Sequence, residues 1–398
     1  WSSDVCSSDL SAQYPLIAAW ARSAVVPRHG AFKTLQAHEL AAPVLHALLA
    51  KAELSANAVD AVVMGNALCA GGNPARLLAL HAGLNTSCAA YTLDTQCCAG
   101  LDAVAIGAAL IASGQAHVVI AGGAEAWSRS PIRMHRPLNA DEPAVAFERP
   151  AFAPTPEQDP DMLLSAARYA AHAGYTRTRQ EDYAVQSHAR AVENQSLIST
   201  EIVPILNVAH DVYPRHIDAT RAARMPVVSR TDALHADDTC ALSALTVSSQ
   251  ADGAAFVLLV SPQVCETFKL TPKAQWITHA STGCTPETPL LAAQVAALQA
   301  IQRAGVANAK DLAHIELHDA FAVQGLSFAE NLDLRPEQLN AHGGGLCRGH
   351  PIGASAAVAL VRLLTDLTNS PTANAMGLVA VAGAGGLGSA AVVASLAP

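Results

Sequence analysis

The chain echoes itself, and that echo limits what it can fold into. In the first third, a strand-like run with its turn, VDAVVMGNAL (59–68), is followed by QCCAG (96–100) at the head of an apolar helix and then by the buried run HVVIAGGAEA (117–126). In the last third, LAHIELHDAF (312–321), the Gly-rich GGGLCRGHPIGAS (343–355) and GLVAVAGAGG (377–386) follow in the same order. The intervals agree to within one residue, Asn66 to Cys97 against His318 to His350. Side-chain identity between the copies is weak, so order and spacing carry the inference. They predict two similar α/β halves whose helix N-termini converge on one site.

The alternation of strands with helices from about Pro15 to Glu125 predicts a parallel, helix-covered sheet. With 51% apolar, 14% charged and 4% aromatic residues, the 398-residue chain must build a large core of aliphatic side chains and backbone. The run Leu101 to Ser113 is apolar nearly all round and is expected at the centre of the molecule. From Trp127 to about Thr239 the character changes. Prolines crowd between 131 and 160, charges and histidines appear, and an amphipathic helix stands out at Arg179 to Asn194. That stretch reads as a polar insertion, with strand patterning returning at ADGAAFVLLV (251–260).

Several classes of function are excluded. Twenty-four basic against 33 acidic residues give a net charge of -9, and no stretch concentrates Lys or Arg as a nucleic-acid surface requires. The least charged spans, Ala103 to Ala124 and Leu367 onward, are broken by Gly, Ser, Gln, His, Asn or Pro and suit a buried helix plus strand better than a bilayer span. Nine cysteines form no CxxC pair and have no His at metal-ligand spacing, which points to a reducing cytoplasm and no metal site. Trp1 to Leu10, which include Cys6, resemble translated sequencing-adapter read-through and are set apart from the functional reading.

Three residues stand where chemistry is expected. Cys97 lies between a strand-like segment and the start of a buried helix, where unpaired N–H groups and the helix dipole favour an anion and a depressed thiol pKa. Cys98 is its neighbour and rival; an arbitrary buried cysteine is more often an inert core thiol. His350, between Gly349 and Pro351, is held at a helix entry that favours neutral imidazole. His318 ends a buried strand beside Asp319, a place where a lone histidine is more often structural.

Taken together, the segments resemble the thiolase superfamily over nearly the whole chain from Pro15. PLIAAWARSAVVPRHGAF resembles its opening strand and turn, NPARLLALHAGL its dimer-facing helix region, and QCCAGLDAVAIGAALIASGQAHVVIAGGAEAWSRSP its nucleophile block. TRTRQEDYAVQSHARA and TEIVPI resemble the loop domain, SSQADGAAFVLL the return strand, and HDAF, GGGLCRGHPIGAS and VAGAGGLGSA the C-terminal motifs. The HDxF form is nearest the sterol-carrier-type branch. The resemblance implies a five-layer αβαβα fold: an N-terminal half over 11–262 with a loop domain inserted at about 127–240, and a C-terminal half over 263–398.

The resemblance also implies roles. Cys97 takes the acylated position and Cys98 the small residue after it. His350 is the base, and His318 falls where most thiolases carry Asn. The backbone N–H groups of Cys97 and Ala384 form the oxyanion hole, Ala320 and Phe321 flank the pantetheine channel, Ser248 contacts coenzyme A and Met162 lines the acyl pocket. Arg215, Arg221, Arg224 and Arg230 either meet the nucleotide phosphates or form a solvated loop face. The implied activity is acyl-CoA C-acyl transfer: thiolytic cleavage of a 3-ketoacyl-CoA, or the reverse condensation, through an acyl-cysteine. Coenzyme A is substrate, no cofactor is bound permanently, and the partners are acyl-CoA and further copies in a homo-oligomer, dimer or tetramer, with no nucleic acid and no membrane.

The chain also departs from the family in its acid/base thiols. The second reactive cysteine of most thiolases, in a Cys-x-Gly turn, is replaced by Ala382 in Ala382-Gly383-Ala384, and the HDAF motif holds Ala320 where a cysteine can sit. Cys347, three residues before His350, is a stand-in or a packing residue. The departure leaves two rivals: a decarboxylating 3-ketoacyl synthase using Cys97, His318 and His350, and a thiolase-like subunit that binds acyl-CoA without turnover.

Overall fold

The computed structural model describes residues 15–69, 71–231 and 237–396. Trp1 to Leu10 and Cys6 lie outside the described residues. Nine strands, β1 (Leu16–Ser23), β2 (Ala61–Gly65), β3 (Ala89–Leu93), β4 (Val118–Ala126), β5 (Ala251–Val260), β6 (Ala274–Gly283), β7 (His314–His318), β8 (Met376–Gly383) and β9 (Leu387–Ser395), form the path of an eleven-stranded sheet. Their order is β3-β2-β4-β5-β1-β6-β9-β8-β7, with two short strands, Val26–Pro27 and Ile202–Val203, pairing off the path.

Read outward from the β1/β6 junction, the two sides repeat. β5, β4 and β2 follow β1, as β9, β8 and β7 follow β6. The directions repeat too: β2 is parallel to β4 and β7 to β8, while β4–β5, β5–β1, β8–β9 and β9–β6 are antiparallel. The two halves meet at β1 and β6 through only two residue pairs, Leu16–Gln275 and Ile17–Ala274. The expected sheet is therefore mixed rather than parallel. A strand buried on both faces, such as β5 with all ten residues buried, has the same apolar run in either direction, so direction leaves no trace in composition.

Helices cover both sides and fill the middle. The first half supplies α1 (Ala37–Lys51), α2 (Pro74–His81) and α3 (Ala99–Ala112); the insertion supplies α4 (Met162–Ala173) and α5 (Arg177–Glu193); the second half supplies α6 (Ala292–Arg303), α7 (Ala322–Asn331) and α8 (Ser355–Thr368). Alternating side chains sort the layers. Val118 and Ile120 of β4 pack with Leu40, Leu45 and Leu48 of α1, whereas Val119 and Ala121 face Leu101 of α3 and Leu360 of α8. In β8, Leu378 and Ala380 pack with Ala296 and Ala300 of α6, while Val379 and Val381 join the central cluster. The result is five layers, αβαβα, with α3 and α8 between the sheets.

The central pair is unequal. α8 is buried from Ser355 to Leu367, but α3 leaves Ile106 38% exposed, so it is less enclosed than its composition predicts. Contact between the halves requires missing side chains: a Cβ on Gly100 of α3 would lie 2.8 Å from the Gly353 carbonyl at the entry to α8. The insertion leaves the end of β4 and packs α4 and α5 against α7. Among the described residues, no helix is long and apolar enough to cross a membrane.

Candidate active site

The chain reaches Cys97 through a tight bend. β3 ends at Leu93, and Gln96 adopts φ +54°, a left-handed conformation uncommon for a residue with a side chain. Asp94 holds the bend, its Oδ1 accepting from the Gln96 backbone N–H at 2.9 Å. Thr95 donates to Oδ2 of Asp102 on α3 at 2.6 Å, and Oδ1 of Asp102 is in turn held by Ser389 at 2.6 Å and by His279 Nε2 at 3.0 Å. Strain at one residue, over-determined by its neighbours, sets the adjacent nucleophile outward. Cys97 stays partly exposed, while Cys98 is 1% exposed and turns into the central core. Of the two thiols, Cys97 is the one on the cavity wall.

On the other half, the corresponding helix entry carries His350. Its backbone N–H donates to the Ser249 carbonyl at 2.7 Å. Its Nε2 lies 3.1 Å from Cys97 Sγ. Its Nδ1 meets Ser355 Oγ at 2.8 Å and His318 Nε2 at 2.5 Å. Because the Ser355 hydroxyl donates to the Pro351 carbonyl at 2.9 Å, its oxygen accepts from His350. The imidazole proton therefore sits on Nδ1, and the Nε2 lone pair faces the thiol.

His318 is 3% exposed and stacks on His350 with ring centroids 4.5 Å apart. It stands behind the first imidazole and is absent from the cavity wall, so the three side chains form a row, Cys97–His350–His318. The row needs glycine beside it, since a Cβ on Gly345 would fall 2.3 Å from His318 Nδ1.

Burial decides the charge state of the pair. It pushes the Cys97 thiol up to about 12, against the opposing pull of the backbone N–H groups of Ala384 and of Cys97 itself. It pushes His350 down to about 4 and His318 well below the ordinary imidazole range, helped there by its neighbour His350. The depressed thiol expected from the helix dipole is thus overturned: Cys97 sits in a short turn before α3, in a site where desolvation outweighs the N–H groups. The resting pair is a neutral thiol facing a neutral imidazole.

Cys97, His350 and Ala384 open onto a cavity of about 410 Å³ whose walls include Ser248, Ala320, Phe321, Met162 and Ala382. His318 is not on that wall. The Ser248 hydroxyl donates to the Gly345 carbonyl at 2.7 Å. Cys347 is fully buried, its Sγ donates to the Gly344 carbonyl at 3.2 Å, and it does not reach the cavity; it packs rather than replacing the absent thiol. None of the four loop arginines lines the cavity. Arg230 pairs with Asp238 at 2.5 Å, Arg215 lies over the Tyr213 ring, and Arg221 and Arg224 are exposed on a short helix.

One buried carboxylate near the site escapes sequence reading. Glu125, at the end of β4 and 1% exposed, accepts from Asn66 Nδ2 at 2.8 Å and from the backbone N–H groups of Ala67 and Gly353 at 2.9 Å each. It joins the two halves next to the Cys97–His350 contact. Burial raises its carboxyl to about 7, against the pull of those N–H groups. The available signal is a lone carboxylate in an otherwise apolar strand.

Comparison with known proteins agrees with this architecture. Residues 16–263 match the family model for the thiolase N-terminal domain, and residues 270–395 match that for the thiolase C-terminal domain. An acetyl-CoA acetyltransferase of Chromobacterium violaceum is 33% identical over 394 residues, covering 95% of this chain and 98% of that protein. The crystal structure of the Bacillus anthracis acetyl-CoA acetyltransferase superposes with a TM-score of 0.88 at 27% identity, over 96% of this chain and 99% of that one. A thiolase of Ascaris suum in complex with coenzyme A gives 0.87 at 24% identity, over 96% and 100%. Duplicated halves, a cysteine and a histidine at matching helix entries, and two family models that together span the fold lead to one conclusion: the chain belongs to the thiolase superfamily.

Proposed function

We propose that the protein is an acyl-CoA C-acyltransferase that works through an acyl-cysteine on Cys97, with coenzyme A and its thioesters as substrates. The observation that carries this reading is the 3.1 Å contact between Cys97 Sγ and His350 Nε2 on the wall of the cavity. As Sγ attacks the thioester or keto carbon, its proton passes to Nε2. The carbon's oxygen becomes negative, where N–H donors such as those of Cys97 and Ala384 would stabilise it. Collapse forms the Cys97 thioester and expels the leaving group, which takes the proton from His350. A second coenzyme A thiol then reverses the sequence and carries the acyl group away. Ser355 Oγ, accepting from Nδ1–H, keeps the base in the reactive tautomer, and His318 holds the ring from behind.

Thiolysis is favoured over decarboxylative condensation, because His318 Nε2 is engaged by His350 and does not line the cavity. Ala382 favours the opposite reading, since it leaves no second thiol to move the α-proton. The exposed apolar side chains Leu77, Leu80, Tyr91 and Ile106, on α2, β3 and α3, support a homo-oligomer. The unpaired cysteines among the described residues support a reducing compartment such as the cytoplasm.

The test is steady-state release of acetyl-CoA from acetoacetyl-CoA and coenzyme A, run beside acetyl-CoA with malonyl-CoA. Coenzyme A-dependent cleavage with no malonyl requirement is expected. Product only with malonyl-CoA would establish the synthase reading, and no product in either arm the binding-subunit reading.

A further inference from the structure

The catalytic cavity continues past Cys97. Leu68, Trp127, Arg133 and Glu148 line both it and an adjoining space of about 180 Å³, whose walls also include Arg28. Two guanidinium groups therefore border this adjoining space. Each is placed by the fold. Arg28 is bound to Gln250 twice, backbone N–H to carbonyl at 2.9 Å and Nη1 to Oε1 at 2.9 Å, and Gln250 itself bridges to His350. Arg133 opens a short hairpin strand (Arg133–His135) and donates through Nη2 to the Ala67 carbonyl at 3.0 Å.

Neither arginine has an ion-pair partner among the described residues. Arg28 Nε is buried with no hydrogen-bond partner at all. The fully buried arginines are matched by carboxylates, as Arg22 is by Asp211 and Glu201, whereas Arg28 and Arg133 are half-buried. Two unneutralised forks beside a catalytic cavity are complementary to an anion with two coplanar oxygens. Glu148, on the same wall, makes no contact with either within ion-pair distance and narrows the preference to a singly charged group.

We propose that Arg28 and Arg133 receive a terminal carboxylate on the acyl chain, so that the preferred substrates are coenzyme A thioesters of dicarboxylic acyl groups. This deepens the reading above and rests on it: the proposal has the pantetheine arm pass Ser248, Ala320 and Phe321 and the acyl group beyond the Cys97 sulfur run toward Leu68, Trp127 and Arg133, all on the same cavity wall. In the covalent step the Cys97 Sγ–carbonyl bond forms, the carbonyl–sulfur bond to coenzyme A breaks, and the thiol proton moves through His350 to the leaving thiolate. The distal carboxylate is unchanged throughout.

The experiment measures the rate of covalent labelling of the full chain, by intact mass, with adipyl-CoA against hexanoyl-CoA and with acetyl-CoA as reference. Adipyl-CoA should label at least about tenfold faster than hexanoyl-CoA, because only the carboxylate satisfies the buried donors. In Arg133→Met and Arg28→Met the ratio should fall toward one, and in Glu148→Gln it should rise. Acetyl labelling with equal rates for adipyl and hexanoyl overturns this proposal and leaves the acyltransferase reading standing; no labelling by any donor overturns that reading instead. A variant that weakens all three donors in equal proportion would assign the arginines to the coenzyme's phosphates, and the proposal fails. The wild-type ratio decides even if a variant does not fold.

Discussion

The two helix entries that meet at the centre occupy the same place in their respective halves, yet they do opposite jobs by different physical means. The entry to α3 forces a strained residue, Gln96, to push one thiol into the cavity. The entry to α8 uses hydrogen bonds to Ser249 and Ser355 and the contact with His318 to fix an imidazole and its tautomer. Duplication thus supplies two equivalent positions in space, while local side chains place a thiol at one and an imidazole at the other, the nucleophile and base of the proposed reaction. The difference also explains the charge state. Both groups are desolvated in the same small volume, so neither keeps a charge at rest, and the proton moves only when substrate arrives.

The most severe way to break the pairing is to remove the sulfur. Cys97→Ala should abolish acyl-enzyme formation, and Cys98→Ala, whose thiol points into the core, should leave it in place; peptide mass mapping after brief exposure to acetyl-CoA distinguishes them. Next comes the base. His350→Ala should slow acylation by ~10²- to 10⁴-fold, the range for a positioned general base, measured as the single-turnover rate. Since burial lowers His350 to about 4, the wild-type imidazole stays deprotonated and proton-accepting down to that value. The acylation rate should therefore hold steady from about pH 8 to pH 5 and fall only on further acidification; a drop centred near the ordinary imidazole pKa would contradict the neutral pair.

Smaller effects sharpen the contrast between strain and support. His318→Ala should cost ~10- to 100-fold, as loss of a group that orients a functional imidazole does, and should move the acid limb of the pH profile, which a purely structural role would not. Gly353→Ala puts a methyl 2.6 Å from the Asn66 Cα. It should lower stability by ~1–3 kcal/mol, read as a shift in the denaturant midpoint.

Much of this arrangement is legible from residues alone. The run ADGAAFVLLV is β5 in full, and the helix read from His38 to Ala52 is α1 with its ends moved by one residue. Matching intervals in the two thirds anticipate the meeting of Cys97 and His350, because equal spacing on equivalent elements places residues at equivalent ends. What stays hidden depends on direction and depth. Antiparallel pairing of β5 leaves no signature in a strand buried on both faces. His318 sits at the end of β7 as expected, yet only tertiary packing shows that it backs His350 instead of facing substrate. The dipole argument for Cys97 counts the N–H groups but has no access to burial, the larger quantity here. Glu125 and the Asp102–His279–Ser389 cluster join segments far apart in sequence, and no local pattern announces such contacts.

The central claim, that Cys97 is acylated as a neutral thiol by transfer of its proton to His350, is most directly tested by the pH dependence of Cys97 alkylation with iodoacetamide in the resting enzyme. The neutral pair predicts a rate that keeps rising with pH through about pH 9 and beyond, as the buried thiol ionises only at high pH. A rate already at its plateau near neutrality would reveal a standing thiolate–imidazolium pair and contradict the account.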